Sequence, residues 1–291
     1  MTIAACYVSP EGVVFGADST STYASSEGNH YLNHGQKIFE VGENSTLGMV
    51  TWGLGGLGYI SYRRLIADLS DQLIAHVPAS VLDAASQWAT LFWPHYAQGP
   101  FANDIARCQA LSQLAAYDPN SPNAPGSRTE TEENEFVALS QALVVGFCIG
   151  GHTLPDRTPA AYEIIFGPLL QAQPVPVAIP PNNQKFWGAP NMFCRLLFGA
   201  DPGLSAAILK TGHWGATPKD LNDVFADFRL DHPILPLRDA IDFTYWCIYS
   251  TIKAFKFSSL SQICGGAVEL AVISADRRFR WVKHKELDAA I

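Results

Sequence analysis

Residues 2–18 constrain the chain more than any other stretch. They read Thr-Ile-Ala-Ala-Cys-Tyr-Val, then Ser-Pro-Glu-Gly, then Val-Val-Phe-Gly-Ala-Asp. Two apolar runs of strand length flank a Pro/Gly turn, the pattern of a β-hairpin over 2–8 and 13–18. A polar, Ser/Thr/Gly/Asn-rich stretch over 19–36 follows and reads as a loop with short strands. Strands over 37–41 and 46–51 come next, and the second runs into Trp52-Gly53-Leu54-Gly55-Gly56. So many strands with no helix between them point to an antiparallel sheet.

From Leu57 the period changes. Ile60, Leu65, Ile66, Leu69, Leu73 and Ile74 recur at helical spacing. Pro78 breaks that helix, and Ser80 is placed to cap a second one over 81–96. A third helical stretch covers 102–117. The Pro/Asn/Ser/Gly and Glu/Thr composition of 118–134 predicts a mobile surface loop outside the core. Strands are expected over 143–149, 160–166 and 175–179. Phe186-Trp187-Gly188-Ala189-Pro190 leads into a helix over 191–199. Thr217-Pro218-Lys219-Asp220 carries a helix-start signature. The longest helix covers 237–255, and strands over 267–274 and 279–282 close the chain. The order is strands, helices, strands, helices, strands, without the strict alternation of a doubly wound sheet. This predicts an α+β fold: a four-layer αββα sandwich of two antiparallel sheets between helical layers. With no internal repeat or linker, residues 1–291 read as one domain.

Nearly half of the 291 residues are apolar and a sixth are charged, enough for a sizeable core. The formal charge of −8 argues against a nucleic-acid face or an anionic membrane surface as partner. The densest basic group, residues 277–285, reads as a solvated terminal strand. The six cysteines, including Cys6 and Cys264, are far apart and read as buried free thiols. The eight histidines show no HExxH spacing, so no metal and no cofactor is expected. No signal-peptide pattern and no membrane-length apolar run occur, and a cytoplasmic protein is the expectation.

A hydroxyl residue, Thr2, stands directly behind Met1. Removal of Met1 would give one residue both a nucleophilic oxygen and a free amine, a known form of covalent catalysis. Asp18 ends the second strand, and Lys37 precedes another apolar run. Each residue also has a plainer role: Asp18 as a strand terminus, Lys37 as an exposed strand residue, Gly53 as part of a tight turn. Trp52, Trp88 and Trp93 read as packing residues.

In order, these motifs resemble the start of a proteasome β-type subunit, of the N-terminal nucleophile hydrolase family. Thr2 matches the nucleophile, Gly16-Ala17-Asp18-Ser19 the acidic element, Lys37-Ile38 the lysine element and Thr51-Trp52-Gly53 the Ala-Gly turn. Residues 143–150, Tyr162-Glu163-Ile164 and Cys264-Gly265-Gly266 resemble later strands and the late Ser-Gly-Gly. The resemblance is densest over 2–58. Stretches near 97–135 and 206–235 look like insertions, and the extra length is similar to divergent bacterial proteasome relatives such as Anbu and the betaproteobacterial homologue. The chain departs from the pattern where Ser261 replaces an Asp and Cys264 a Ser, and where Trp187-Gly188-Ala189 stands in place of a Ser beside Gly.

The resemblance implies a threonine-type endopeptidase that acts on peptides or unfolded proteins in a self-compartmentalised homo-oligomeric ring, with any ATPase partner undetermined. Thr2 would attack, Lys37 would lower the pKa of the hydroxyl and amine, and Asp18 would hold the lysine charged. The Gly53 N–H would face the oxyanion, and Thr22 would offer main-chain hydrogen bonds to an extended peptide. The alternatives are an inactive structural or regulatory ring subunit of the same fold and a small-molecule amidase.

Overall fold

The first strands are apolar residue after residue because both of their faces are covered. In the computed structural model, β1 (Ile3–Ser9) and β2 (Gly12–Ala17) are buried throughout. The structure describes residues 2–25, 28–122, 124–230, 232–259 and 263–285. Met1 and Ser261 lie outside the described residues.

The remaining strands are β3 (Ser21–Ser25), β4 (Gly28–Leu32), β5 (Ile38–Glu40), β6 (Leu47–Gly53), β7 (Val145–Gly151), β8 (Ala160–Phe166), β9 (Val177–Ala178), β10 (Asn183–Gly188), β11 (Glu269–Ser274) and β12 (Arg277–Lys283). The helices are α1 (Tyr62–Ala75), α2 (Val81–Ala97), α3 (Ala102–Ser112), α4 (Glu130–Ala142), α5 (Asn191–Phe198), α6 (Pro202–Lys210), α7 (Pro218–Ala226) and α8 (Leu237–Phe257). One sheet runs β10-β1-β2-β11-β12 and a second β5-β6-β7-β8-β9, while β3 and β4 pair alone. Every ladder is antiparallel. The protein is thus mixed α and β with antiparallel sheets, as its element order predicts.

Side-chain alternation sorts the apolar residues into clusters. Ala4, Cys6, Val13 and Phe15 of the first sheet pack with Ile38, Val50, Trp52 and Cys148 of the second. The opposite faces of β1 and β11 send Ile3, Ala5 and Leu270 against α5 and α8. α8 buries Ala240, Thr244, Cys247, Ile248, Thr251, Ile252 and Phe255, one stripe at helical spacing. The far face of the second sheet packs Phe147, Ile149 and Phe166 against Trp88 and Phe92 of α2 and Leu65 and Leu69 of α1. Ser80 caps α2 and Thr217 caps α7 with a reciprocal capping box, as their sequences predict.

Two expectations need correction, and two elements were not foreseen. The first helix starts at Tyr62, and Ile60 belongs to a bridge with Leu57. Residues 130–134 open α4: Thr129 and Glu132 form a capping box, a helix start that the charge pattern concealed. The turns before α4 are anchored by buried Arg128, which donates to the Leu111 and Leu114 carbonyls and pairs with Glu133. α4 itself fully buries none of its residues, and Leu139 is the side chain it packs against the helix-covered core. Residues 183–188 form the strand β10, whose half-exposed edge position left no continuous apolar run to read. Asp201 caps α6, a helix that the sequence pattern does not assign.

Candidate active site

Hairpin register brings Asp18 to the start of the chain. Ala4 pairs with Ala17, so Asp18 falls beside Ile3. The Asp18 N–H donates to the Ile3 carbonyl (3.1 Å), and the Ile3 N–H donates to Asp18 Oδ1 (3.0 Å). The Thr20 and Gly265 N–H groups donate to Oδ2 at 3.3 and 2.9 Å. These bonds hold a fully buried carboxylate one residue from Thr2.

Lys37 reaches the same point from β5. Its Nζ lies 2.5 Å from Asp18 Oδ1 and donates to the Thr20 carbonyl at 2.7 Å. Its carbonyl accepts the Thr51 N–H (2.9 Å), which ties the lysine to β6. Lys37 is 6 % exposed, which rules out the role of a solvated strand residue. Burial pushes its pKa down from the ordinary lysine value, and Asp18 opposes that shift. Cys264 is buried beside this pair. Burial pushes its thiol up to about 12, with Asp18 adding to the rise, so it stays protonated. It is a core thiol, as expected, although one that adjoins the ion pair.

Thr2 is buried, and its carbonyl accepts the Ala189 N–H at 2.9 Å. Gly188 pairs with Ile3 at φ +84°, and a Cβ there would lie 1.7 Å from the Thr2 carbonyl oxygen. Only glycine lets β10 approach Thr2 this closely. Trp187-Gly188-Ala189 therefore does flank Thr2, though through its backbone and not through a hydroxyl.

Gly53 ends β6 at φ +84°, where a Cβ would meet the Val144 carbonyl oxygen at 2.2 Å. The Thr51 N–H faces β5. Strand alternation turns the Gly53 N–H, two residues on, toward the same edge. The next residue is pinned: Tyr62 donates its hydroxyl to the Leu54 carbonyl at 2.5 Å, and burial pushes its phenol pKa up, keeping it protonated. Trp52 stacks on Trp187 with centroids 4.1 Å apart and planes 11° apart, linking the two sheets beside the cleft. Glu163 accepts from the Trp187 indole.

Thr2, Lys37, Gly53 and Thr22 line one cleft of about 100 Å³, with Asp18 directly behind the lysine. All five residues singled out in the sequence thus fall at one place. The cleft is also lined by Ser21, Gln36, Thr51, Trp52 and Tyr62. Sequence reasoning missed Gln36 and Tyr62 as lining residues. Gln36 adjoins Lys37, which was a usable signal; Tyr62 had none. Among the described residues no cluster of His, Cys, Asp and Glu is placed to hold a metal ion, and no single helix is long and apolar enough to cross a membrane.

No family model matches the chain, and no curated protein matches it. Its structure is similar to a solved structure of the Anbu (Gly-1) mutant from Hyphomicrobium sp. strain MC1. The two share 12% identity over 97% of this chain and 87% of that chain, with a TM-score of 0.45.

Proposed function

We propose that this chain is a threonine-type amide hydrolase of the N-terminal nucleophile kind, with Thr2 as nucleophile once Met1 is removed. The observation that carries this reading is the buried Lys37 ammonium, clamped between Asp18 and the Thr20 carbonyl, in the cleft that Thr2 also lines. A solvated lysine or a bare strand terminus would not need that burial, which costs several kcal/mol per ion before pairing.

In this reaction the free Thr2 amine, ordinary pKa about 7.7–8.0, takes the hydroxyl proton as Oγ1 attacks the substrate carbonyl. The Lys37 charge favours the alkoxide and keeps the amine unprotonated. The Gly53 N–H faces the oxyanion, a donor worth about 10²–10³ in rate. Collapse passes the proton to the leaving amine and leaves an ester on Thr2, which water hydrolyses. Thr22, in an edge hairpin beside the cleft, binds an extended peptide by main-chain hydrogen bonds.

The same reading takes the chain as one domain. Its apolar clusters stack as four layers: α1 and α2, the second sheet, the first sheet, then α5 and α8. The substrate is a peptide or unfolded protein, and the setting a cytoplasmic homo-oligomeric ring. Exposed Leu196, Phe228, Leu230 and Ile234 offer apolar surface for subunit contacts.

A second reading, a ring subunit that keeps the fold without the chemistry, is favoured by one observation. Position 264 carries a buried, protonated thiol in place of a hydroxyl. A peptide epoxyketone separates the two. The hydrolase forms an adduct on Thr2 that is lost in Thr2→Ala; the inactive subunit forms none.

A further inference from the structure

The basic run over 277–285 has two characters. Arg277, Arg278 and Arg280 are exposed, as a solvated strand requires. Lys285 turns inward: its side chain is 14% exposed and its Nζ lies 3.2 Å from Glu269 Oε2. Glu269 opens β11 opposite Ala17, the residue before Asp18, and its carboxylate is fully buried. His284 Nδ1 lies 2.7 Å from Glu269 Oε1, and the His284 ring stacks on Trp281 at 4.1 Å.

Lys285 also donates to the Gly35 carbonyl at 3.0 Å, and the Gly35 N–H donates to the Ser19 carbonyl at 2.9 Å. Gly35 stands two residues before Lys37, and Ser19 directly follows Asp18. The loop that delivers Lys37 is therefore tied on one side to the residue after its counter-ion and on the other to Lys285.

We propose that Lys285, seated on Glu269, is a positioning residue that fixes the Gly35 loop and acts as a second cation on the Lys37 ammonium. This rests on the hydrolase reading, in which that ammonium serves Thr2. The groups that face Lys37 are Asp18 from the end of β2, Cys264 from the segment before β11, Lys285 from beyond β12 and, in the hydrolase reading, the freed Thr2 amine across the cleft; Glu269 and His284 face Lys285. Asp18 favours the charged lysine, whereas Lys285, like burial, disfavours it. In the hydrolase reading this balance sets the pH at which Lys37 loses the charge that serves Thr2.

The test is the titration of Lys37 itself, followed by NMR in protein with isotope-labelled lysine, its signal assigned by Lys37→Arg. Lys285→Met removes the second cation and leaves Glu269 less compensated, so the Lys37 midpoint rises, by roughly one pH unit. Glu269→Gln leaves Lys285 unneutralised, so the midpoint falls by a similar amount. Opposite shifts mark an electrostatic role, because mere loosening of the loop would move both variants upward, toward the value in water. Lys285→Gln replaces Lys285→Met should the latter not fold. Shifts in one direction, or none in either variant, overturn the proposal. Opposite shifts in a protein that forms no Thr2 adduct would instead retain the Lys285 role and remove the hydrolase reading.

Discussion

Lys37 and Asp18 form a buried ion pair, Nζ to Oδ1 2.5 Å, whose carboxylate also accepts three backbone N–H bonds, from Ile3, Thr20 and Gly265. One side chain thus ties together the first strand, the segment between β2 and β3 and the turn before β11. Removing it leaves a buried ammonium and three buried N–H groups without their acceptor. Asp18→Ala is expected to cost about 3–5 kcal/mol, the range for a broken buried pair. Lys37→Met should cost less, because the Asp18 carboxylate keeps its N–H donors. Urea denaturation of both variants checks the order; equal or reversed losses would show that the backbone bonds matter little.

Burial lowers the Lys37 pKa, which fixes a sign. Between the folded-state value and about 10.4 the unfolded chain binds the extra proton. The unfavourable burial of charge is fully present below the folded-state pKa and is relieved as pH rises through this window. Activity should move the other way, since it needs the ammonium, and should decline before the ordinary lysine range. The measurement is the pH profile of kcat/KM or of the labelling rate. An alkaline limb at or above 10.4 would contradict the role given to Lys37.

Gly188→Ala places a methyl group where the Thr2 carbonyl oxygen now sits. The backbone at φ +84° adds strain for any side chain. β10 and Thr2 must separate, so labelling of Thr2 should fall at least about tenfold, alongside a stability loss of about 1–3 kcal/mol. Mass spectrometry of the adduct with a parallel thermal melt reads both; an unchanged labelling rate would show that the β10 contact does not set the Thr2 position.

The Trp52–Trp187 stack bridges the strands that carry Gly53 and Gly188. Stacked indoles couple their transitions, so the native protein should show a far-ultraviolet circular dichroism couplet that Trp187→Phe abolishes. That change also strips Glu163 of its indole donor, leaving Lys185, and should destabilise by about 1–3 kcal/mol. A spectrum unaltered by the substitution would mean the rings do not stack in solution.

The placement of the candidate site residues was legible in the sequence because two of them belong to one hairpin. A tight turn fixes register, and register alone carries Asp18 back to Ile3. Lys37 was harder, since its approach depends on the polar stretch over 19–36, which turns out to hold the β3–β4 pair. Lys285 was misread because charge density along the chain says nothing of where one ammonium turns. Its partner Glu269 lies in an apolar strand and could be recognised only once β11 was placed beside β2. The helix that begins at Glu130 was missed for a local reason: its capping box is made of the same Thr and Glu residues that otherwise signal a loop. β10 hid because an edge strand needs only one apolar face.

The central claim is that Thr2 supplies both the attacking oxygen and the proton acceptor. Its most direct test is N-terminal sequencing joined to mass analysis of the protein after treatment with a peptide epoxyketone. The account predicts a chain that begins at Thr2 and carries one adduct there, absent from Thr2→Ala and strongly reduced in Lys37→Met. A chain that keeps Met1 throughout and takes up no reagent at Thr2 would contradict it.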